Sequence, residues 1–374
     1  MLVLDFSQFL SGPYAGLRLA DLGARVIKIE RSDGGDICRR LYISNLELDG
    51  DSTLFHSINR NKESYAVDLK DEVDRNKLKK LLKHADVMIQ NFRPGVIEKL
   101  GFGYEEVRTI NSRLVYGSIS GYGKEGPLVK RPGQDLLVQS IVGLPWLQRS
   151  RTRSGPIPFG LAIADMMTGS HLAQGILAVL VRRAVSNCGA LVEVSLLEST
   201  LDALQELWME RQQAQVMESG SAGAAIRKLQ HSEHELPAGL YRVKDGYIAI
   251  DRVTLSGLSA ALGVHRLMDE SHIASLDAVH ELLMQHPATY WLERLRQAGL
   301  VCGELWNWQQ LVQHEGFRQL DMTRQVRRPS GAAMTALTCP IKLNGQRLDA
   351  GRGAPLVGEH NAWIESEWKL GRQM

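Results

Sequence analysis

Short apolar runs alternate with helical patterns through the first half of the chain. Leu2 to Phe6 reads as a strand, about Tyr14 to Leu22 as a helix, and Ala24 to Ile29 as a second strand, so the chain opens as βαβ. The pattern repeats with strand-like Tyr65 to Leu69, a charged helical segment Asp71 to Lys83, and the strand-like runs Asp86 to Ile89 and Leu114 to Ile119. Units of this kind predict a mostly parallel sheet with helices on both faces. From Asp165 to Val181 the residues Met166, Gly169, Ala173, Ile176, Leu177, Leu180 and Val181 keep three-and-four spacing, which predicts one long, well-buried helix with Asp165 at its start. A strand at Leu191 to Val194 and a helix from about Leu196 to Gln215 follow.

The small residues Ser219 to Ala225 read as a linker. The expected division is a large α/β unit of residues 1–218 plus 326–374 and a small α+β unit of residues 219–325. In the small unit, residues from about Tyr241 to Asp321 predict one strand, a turn at Asp245-Gly246 and several short helices. The last fifty residues read as strand-poor and end in a helix, Glu359 to Leu370. The turn after the first strand is Ser11-Gly12-Pro13, not G-x-G-x-x-G, which argues against a nicotinamide enzyme.

Composition narrows the partners. The 374 residues, 44% hydrophobic and 23% charged, are enough for more than one structural unit and a large core. Lysine and arginine number 44 against 42 acidic residues, so no bulk charge points to nucleic acid or to disorder. Cys38, Cys188, Cys302 and Cys339 lie far apart with no C-x-x-C pair, which argues against a disulfide framework or a zinc cluster and for a reducing cytoplasm. No apolar stretch reaches the roughly 18 residues of a membrane span, and the N-terminus lacks a basic leader region. Beginning almost inside a strand, the chain is expected to start a few residues later than its relatives.

Thirteen blocks in order carry a family resemblance. They are Val3-Leu-Asp-Phe with Ser11-Gly-Pro, Asp21-Leu-Gly-Ala-Arg-Val-Ile-Lys-Ile-Glu-Arg31, Gly34-Gly-Asp with Arg39, and Asn59-Arg-Asn-Lys-Glu-Ser. Then come Asp68-Leu-Lys70, Ala85-Asp-Val, Asn91-Phe-Arg-Pro-Gly95, Leu100-Gly-Phe, Gly121-Tyr-Gly and Arg131-Pro-Gly-Gln-Asp135. Asp165 with Gly169, Gly175-Ile-Leu-Ala and Pro355-Leu-Val-Gly-Glu-His360 complete the set. Together these resemble the class III CoA-transferases, which include formyl-CoA and carnitine CoA-transferases and, as a divergent branch, α-methylacyl-CoA racemase. The resemblance implies a Rossmann-like large domain with a smaller α+β domain, and a homodimer of interlocked open rings. It also implies acyl-CoA and a small carboxylic acid as substrates, with no permanently bound cofactor, no metal, no nucleic acid and no membrane.

The resemblance puts the nucleophile at Asp165, where a carboxylate attacks a thioester and holds the acyl group as a mixed anhydride. An aspartate opening a helix is, by itself, also an ordinary N-cap. A helix N-terminus stabilises its charge by roughly 0.3–1 kcal/mol, so the carboxylate is expected to stay ionised near neutrality. The larger contribution is holding the thioester in reach, up to roughly 7–11 kcal/mol. Glycine-bearing turns at Gly121-Tyr-Gly or Gly133 could offer N–H groups to the oxyanion.

For coenzyme A the resemblance implies Phe9, Leu10, Ser11, Arg31, Val67, Lys70, Asn91, Phe92, Val96, Lys99, Arg131 and Gln134. Cations there would meet the phosphates, and lysine where the family usually has arginine at position 99 puts a point charge in place of a planar fork. Racemases carry histidine at the position of Gln134; glutamine cannot act as a base, which disfavours a racemase or epimerase. A non-catalytic CoA-binding protein is the other alternative. Arg149, Arg151 and Arg153 could meet a substrate carboxylate but read as exposed loop arginines, and His231, Glu233 and His234 lack further metal ligands nearby. The glycine-rich loop of formyl-CoA transferase has no counterpart, which argues against oxalate as acceptor.

Overall fold

The computed structural model describes residues 1–41, 46–147, 155–218, 235–236, 238–251, 253–263, 272–348 and 351–370. Two compact units divide the chain: Met1–Gln205 with Met322–Met374, and Glu206–Asp321. The stretch expected as a linker, Ser219 to Ala225, lies outside the described residues.

The larger unit is built on a six-stranded parallel sheet. Its strands are β1 (Leu2–Asp5), β2 (Arg25–Arg31), β3 (Glu63–Val67), β4 (Val87–Gln90), β5 (Val115–Ser120) and β6 (Leu191–Ser195), in the order β3-β2-β1-β4-β5-β6. Both faces are buried, and the period of two along each strand splits the apolar residues between them. Leu2, Leu4, Ile27, Tyr65 and Met88 face one core, shared with Leu78 and Leu81 of helix Glu72–Leu82 and Ile364 of helix Asn361–Glu367. Val3, Val26, Val87, Ile89 and Val115 face the other, against α1 (Ser11–Asp21) and the long helix Ile163–Ser186.

The C-terminal segment closes the β3 edge. The Asn361 side chain accepts from the Ala66 N–H at 2.8 Å and donates to the Ala66 carbonyl at 2.7 Å, as a neighbouring strand would. Arg328, fully buried, donates to the Ala354 carbonyl at 2.7 Å and pairs with Asp49 and Asp51. An exposed row of strand N–H groups is thereby covered.

Two expectations of strand content need correction. The small unit holds a three-stranded antiparallel sheet, Gly239–Val243, Gly246–Ile250 and Cys302–Glu304, where one strand was expected; the Asp245-Gly246 turn joins the first two. The tail carries a hairpin, Thr323–Arg327 with Ala333–Leu337. Its strands are mostly exposed, and the first carries Arg324 and Arg327, so neither shows the clean apolar alternation that marks a strand in sequence. Among the described residues no helix is long and apolar enough to cross a membrane.

Candidate active site

The strand order reverses at β1 and β4: the chain proceeds outward from β1 through β2 to β3, then returns to β4 on the other side of β1. In open parallel sheets the crevice beyond the carboxyl ends of such strands is where ligands bind. The loops leaving β1 and β4 are tied together there. Asn91 accepts from the Gln8 N–H at 2.8 Å and donates to the Gln8 carbonyl at 2.7 Å. Within the first loop Gly12 lets the start of α1 lie against Ser7, since a Cβ there would lie 2.2 Å from the Ser7 Cβ.

Phe9, at the tip of the first loop, has φ +64° and is 47% exposed. A left-handed aromatic residue is costly and needs holding. The Asp36 carboxylate accepts its N–H at 3.2 Å, and Lys28, fully buried, pairs with Asp36 at 2.7 Å and donates to the Ser7 carbonyl at 2.9 Å. Lys62 lies alongside, paired with Asp5 at 2.8 Å and donating to the Pro13 carbonyl at 2.8 Å, both side chains inaccessible. Burial pushes the Lys62 amine down to about 8 against the pull of Asp5, while Lys62 and Lys28 outweigh burial at Asp5 and lower its carboxyl. Gly16 makes room for this pair, as a Cβ there would stand 2.8 Å from an Asp5 carboxylate oxygen.

Three helices begin at the carboxyl side of β1 and β5. They are α1, the short α2 (Asp135–Ile141) and α3 (Ile163–Ser186). Asp165 is the third residue of α3, not its N-cap; that place belongs to Ala162, which has no capping side chain. The Asp165 N–H is instead accepted by the Asp135 carboxylate at 3.2 Å, a cap supplied by another helix. Asp135 is placed by two backbones in contact, since a Cβ on Gly133 would lie 2.4 Å from the Gly121 Cα. The Ser11 side chain lies near enough to ease the Asp165 charge, and α1 and α3 approach closely enough that a Cβ on Gly169 would lie 2.5 Å from the Ser11 carbonyl oxygen.

This setting overturns the expectation of an ordinary, ionised aspartate. Burial first, and the Asp135 charge second, push the Asp165 carboxyl up from 3.8 to about 7, with the Ser11 hydroxyl opposing them. The helix terminus pulls the other way but is worth about 2 kcal/mol at most, too little to offset burial between three helices.

The other expected CoA residues line the same edge of the sheet. Arg31 and Val67 are register partners at the ends of β2 and β3. Val67 packs into the core, so its backbone is what it offers, and Lys70 lies exposed just beyond. Asn91 and Phe92 follow β4; Val96 and Lys99 are exposed on the helical turn Val96–Lys99. Arg131 and Gln134 are exposed in the segment entering α2. Leu10 and Ser11 begin α1. Arg31 differs from a free cation: its guanidinium bonds the Asp33 carboxylate at 2.8 and 2.5 Å on the surface. The structure therefore brings Ser11 against Asp165, with Gln134 next to Asp135, and spreads the cations along the edge: Arg31 and Lys70 at β2 and β3, Lys99 beyond β4, and Arg131 ahead of α2. At roughly 4.8 Å per strand, β2 and β5 are about 14 Å apart, a span for an elongated ligand.

Sequence reasoning missed Asp135 as a partner of Asp165, although it quoted the residue, and missed Gln139 altogether. Asp135 and Gln139 stand four apart at a helix start, a spacing that lets the side chains meet. Arg149, Arg151, Arg153, His231, Glu233 and His234 lie outside the described residues. Among the described residues no group of three or more His, Cys, Asp or Glu is placed to hold a metal.

A carboxyl raised by burial and a neighbouring carboxylate thus stands at the carboxyl edge of a parallel α/β sheet. Comparison makes this specific: the family described as CoA-transferase family III matches residues 1–361, and the chain belongs to that family, the class III CoA-transferases. Such enzymes use CoA thioesters as substrates. The chain is 31% identical to an acetyl-CoA:oxalate CoA-transferase of Acetobacter aceti, over 98% of this chain and 95% of that one. It is 26% identical to the human succinyl-CoA:glutarate CoA-transferase, over 98% and 84%. It is also similar to a probable fatty acyl-CoA transferase of Mycobacterium tuberculosis, 32% identical over 96% and 95%. A crystal structure of that mycobacterial protein superposes with a TM-score of 0.79, covering 97% of each chain at 28% identity. A CAIB/BAIF family protein from Brucella suis gives 0.79 at 26% identity, covering 98% of each chain.

Proposed function

We propose that this enzyme transfers coenzyme A from an acyl-CoA donor to a small carboxylic acid, with Asp165 as the covalent nucleophile. The observation that carries the reading is the Ser11, Asp135 and Asp165 constellation, in which burial and a neighbouring carboxylate raise the Asp165 carboxyl to about 7. Perturbed groups of this kind concentrate at catalytic sites. A poorly solvated carboxylate is also a stronger base and nucleophile than one in water, and near neutral pH a large fraction still carries charge.

The chemistry closes as a cycle. The Asp165 carboxylate attacks the donor thioester carbonyl, the C–S bond breaks, and CoA leaves as a thiolate from a mixed anhydride. The thiolate attacks the aspartyl carbonyl and expels the donor acid, leaving an aspartyl-CoA thioester. The acceptor carboxylate attacks that thioester and frees the thiolate again. Attack of the thiolate on the acceptor's acyl carbon yields the new acyl-CoA and restores Asp165.

CoA is assigned to the wall formed by Phe9, Leu10, Ser11, Val67, Asn91, Phe92, Val96, Arg131 and Gln134, with Arg31, Lys70 and Lys99 toward its phosphates. Arg31 gives up or shares Asp33 on binding. We further assign a homodimer and a cytoplasmic location, in keeping with the family.

Incubation with a panel of acyl-CoAs, succinyl-CoA and acetyl-CoA among them, followed by hydroxylamine or borohydride trapping and mass spectrometry, tests this. A modification confined to Asp165 and absent in Asp165→Ala is expected. Undiminished CoA binding with no acyl-CoA labelling Asp165 would refute the nucleophile, and solvent deuterium entering the α-carbon would favour a racemase.

A further inference from the structure

Gln139 is 1% exposed, near the end of α2, and every bond of its amide leads toward Asp165. Its Nε2 donates to Asp135 one turn back and, at 3.1 Å, to the Leu161 carbonyl; its Oε1 accepts the Phe159 N–H at 3.1 Å. The Leu161 carbonyl also accepts the Ile163 N–H, at 2.8 Å, from the first residue of α3. The other oxygen of Asp135 accepts the Asp165 N–H. One amide thus fixes both supports of the nucleophile: the carboxylate that caps its helix from outside, and the chain that enters that helix.

We propose that Gln139 is a positioning residue for Asp165, holding Asp135 and the Phe159 to Leu161 segment so that the carboxylate faces the thioester. The inference rests on Asp165 being the nucleophile. Buried beneath α2, Gln139 does not meet substrate, so its effect is transmitted. Few side chains serve here: the place requires two donors and one acceptor in one plane, which an amide supplies. Glutamate at this position accepts from Phe159 but, when ionised, donates to nothing and faces Asp135 with like charge. Among the described residues, Asp135 is the charged group bonded to Gln139.

The test is single-turnover acylation of Asp165 by acetyl-CoA, with CoA affinity measured in parallel, for wild type, Gln139→Leu and Gln139→Glu from mildly acid to mildly alkaline pH. Gln139→Leu is expected to acylate about a hundredfold more slowly, the scale of a misplaced reacting group, with CoA affinity unchanged. Gln139→Glu is expected to show a rate deficit, relative to wild type at the same pH, that shrinks as pH falls and the introduced acid regains a proton to donate. A purely structural role would give a deficit indifferent to pH. Wild-type rates in both variants, a loss confined to CoA affinity, or a pH-independent deficit in Gln139→Glu would each overturn the proposal. If Gln139→Leu fails to fold, the pH behaviour of Gln139→Glu decides. Wild type left unlabelled at Asp165 would remove the nucleophile itself, whereas labelled wild type with variants to match removes Gln139 alone.

Discussion

Replacing Asp165 by asparagine should abolish transfer and, above neutral pH, stabilise the protein. An acid held at about 7 in the folded chain and 3.8 in the unfolded one takes up a proton on folding at any pH between those values. Stability from this group is therefore complete below about pH 4, falls as pH rises through the window, and levels off above pH 7. The full displacement amounts to about 4 kcal/mol at 1.36 kcal/mol per tenfold change. Because Asp165 retains some solvent contact, about 2 kcal/mol of pH-dependent change between pH 5 and pH 8 is the working expectation. Asparagine keeps the shape and never ionises. The assay is urea unfolding of wild type and Asp165→Asn at both pH values, reading the difference between the two proteins so that other titrations cancel. The variant should gain about 2 kcal/mol on wild type from pH 5 to pH 8. A difference that does not move with pH would show that the carboxyl is not held up by burial and Asp135. Asp165 acylation in wild type should correspondingly rise with pH and level off above about 7.

Two further perturbations probe the support of the site. Lys62→Met leaves Asp5 buried without its ion-pair partner, and should cost about 3–5 kcal/mol in chemical denaturation. Gly169→Ala gains up to about 1 kcal/mol of helix propensity. Against that, its Cβ would sit 2.5 Å from the backbone oxygen of Ser11. Overpacking of that kind costs about 1–3 kcal/mol, so a lower melting temperature and slower acylation are expected, and a stabilised variant would disprove the close helix contact.

The strands and the long helix were legible because apolar runs and a 3.6-residue period need no long-range information, but the helix expected to be well buried is buried only as far as Ile176, and Val181 is 74% exposed. The assignment of a role to Asp165 rests on its family blocks and not on its physics, since an aspartate at a helix start reads equally as a cap. What placed it third in the helix, with Asp135 doing the capping, is a contact between residues 30 apart. That contact depends on two glycine backbones meeting across loops, Gly121 and Gly133, and no periodicity encodes it. The elevated carboxyl was illegible for the same reason: the sequence shows the helix terminus, whose small effect lowers the value, and hides the neighbours that raise it. The tail hairpin went unseen because exposed strands such as Thr323–Arg327 carry arginine where a buried strand would carry valine.

The site's energetics explain why so many rigid contacts surround one carboxylate. A desolvated Asp165 next to Asp135 relaxes by moving apart from it or drawing in water, and either motion would return it to an ordinary, weakly reactive acid. Movement of α3 away from α1 is resisted by the Gly169 approach to Ser11, and movement of Asp135 by the glycine contact before it and by the Gln139 amide behind it. The Ser11 turn is in turn fixed by Lys28, Asp36, Lys62 and Asp5, charges that stay buried because each has a partner. The penalty for holding a carboxylate largely out of water is thus borne by the packing and ion pairs around it. Loss of any one of them should therefore appear first in the Asp165 titration, before the fold itself gives way.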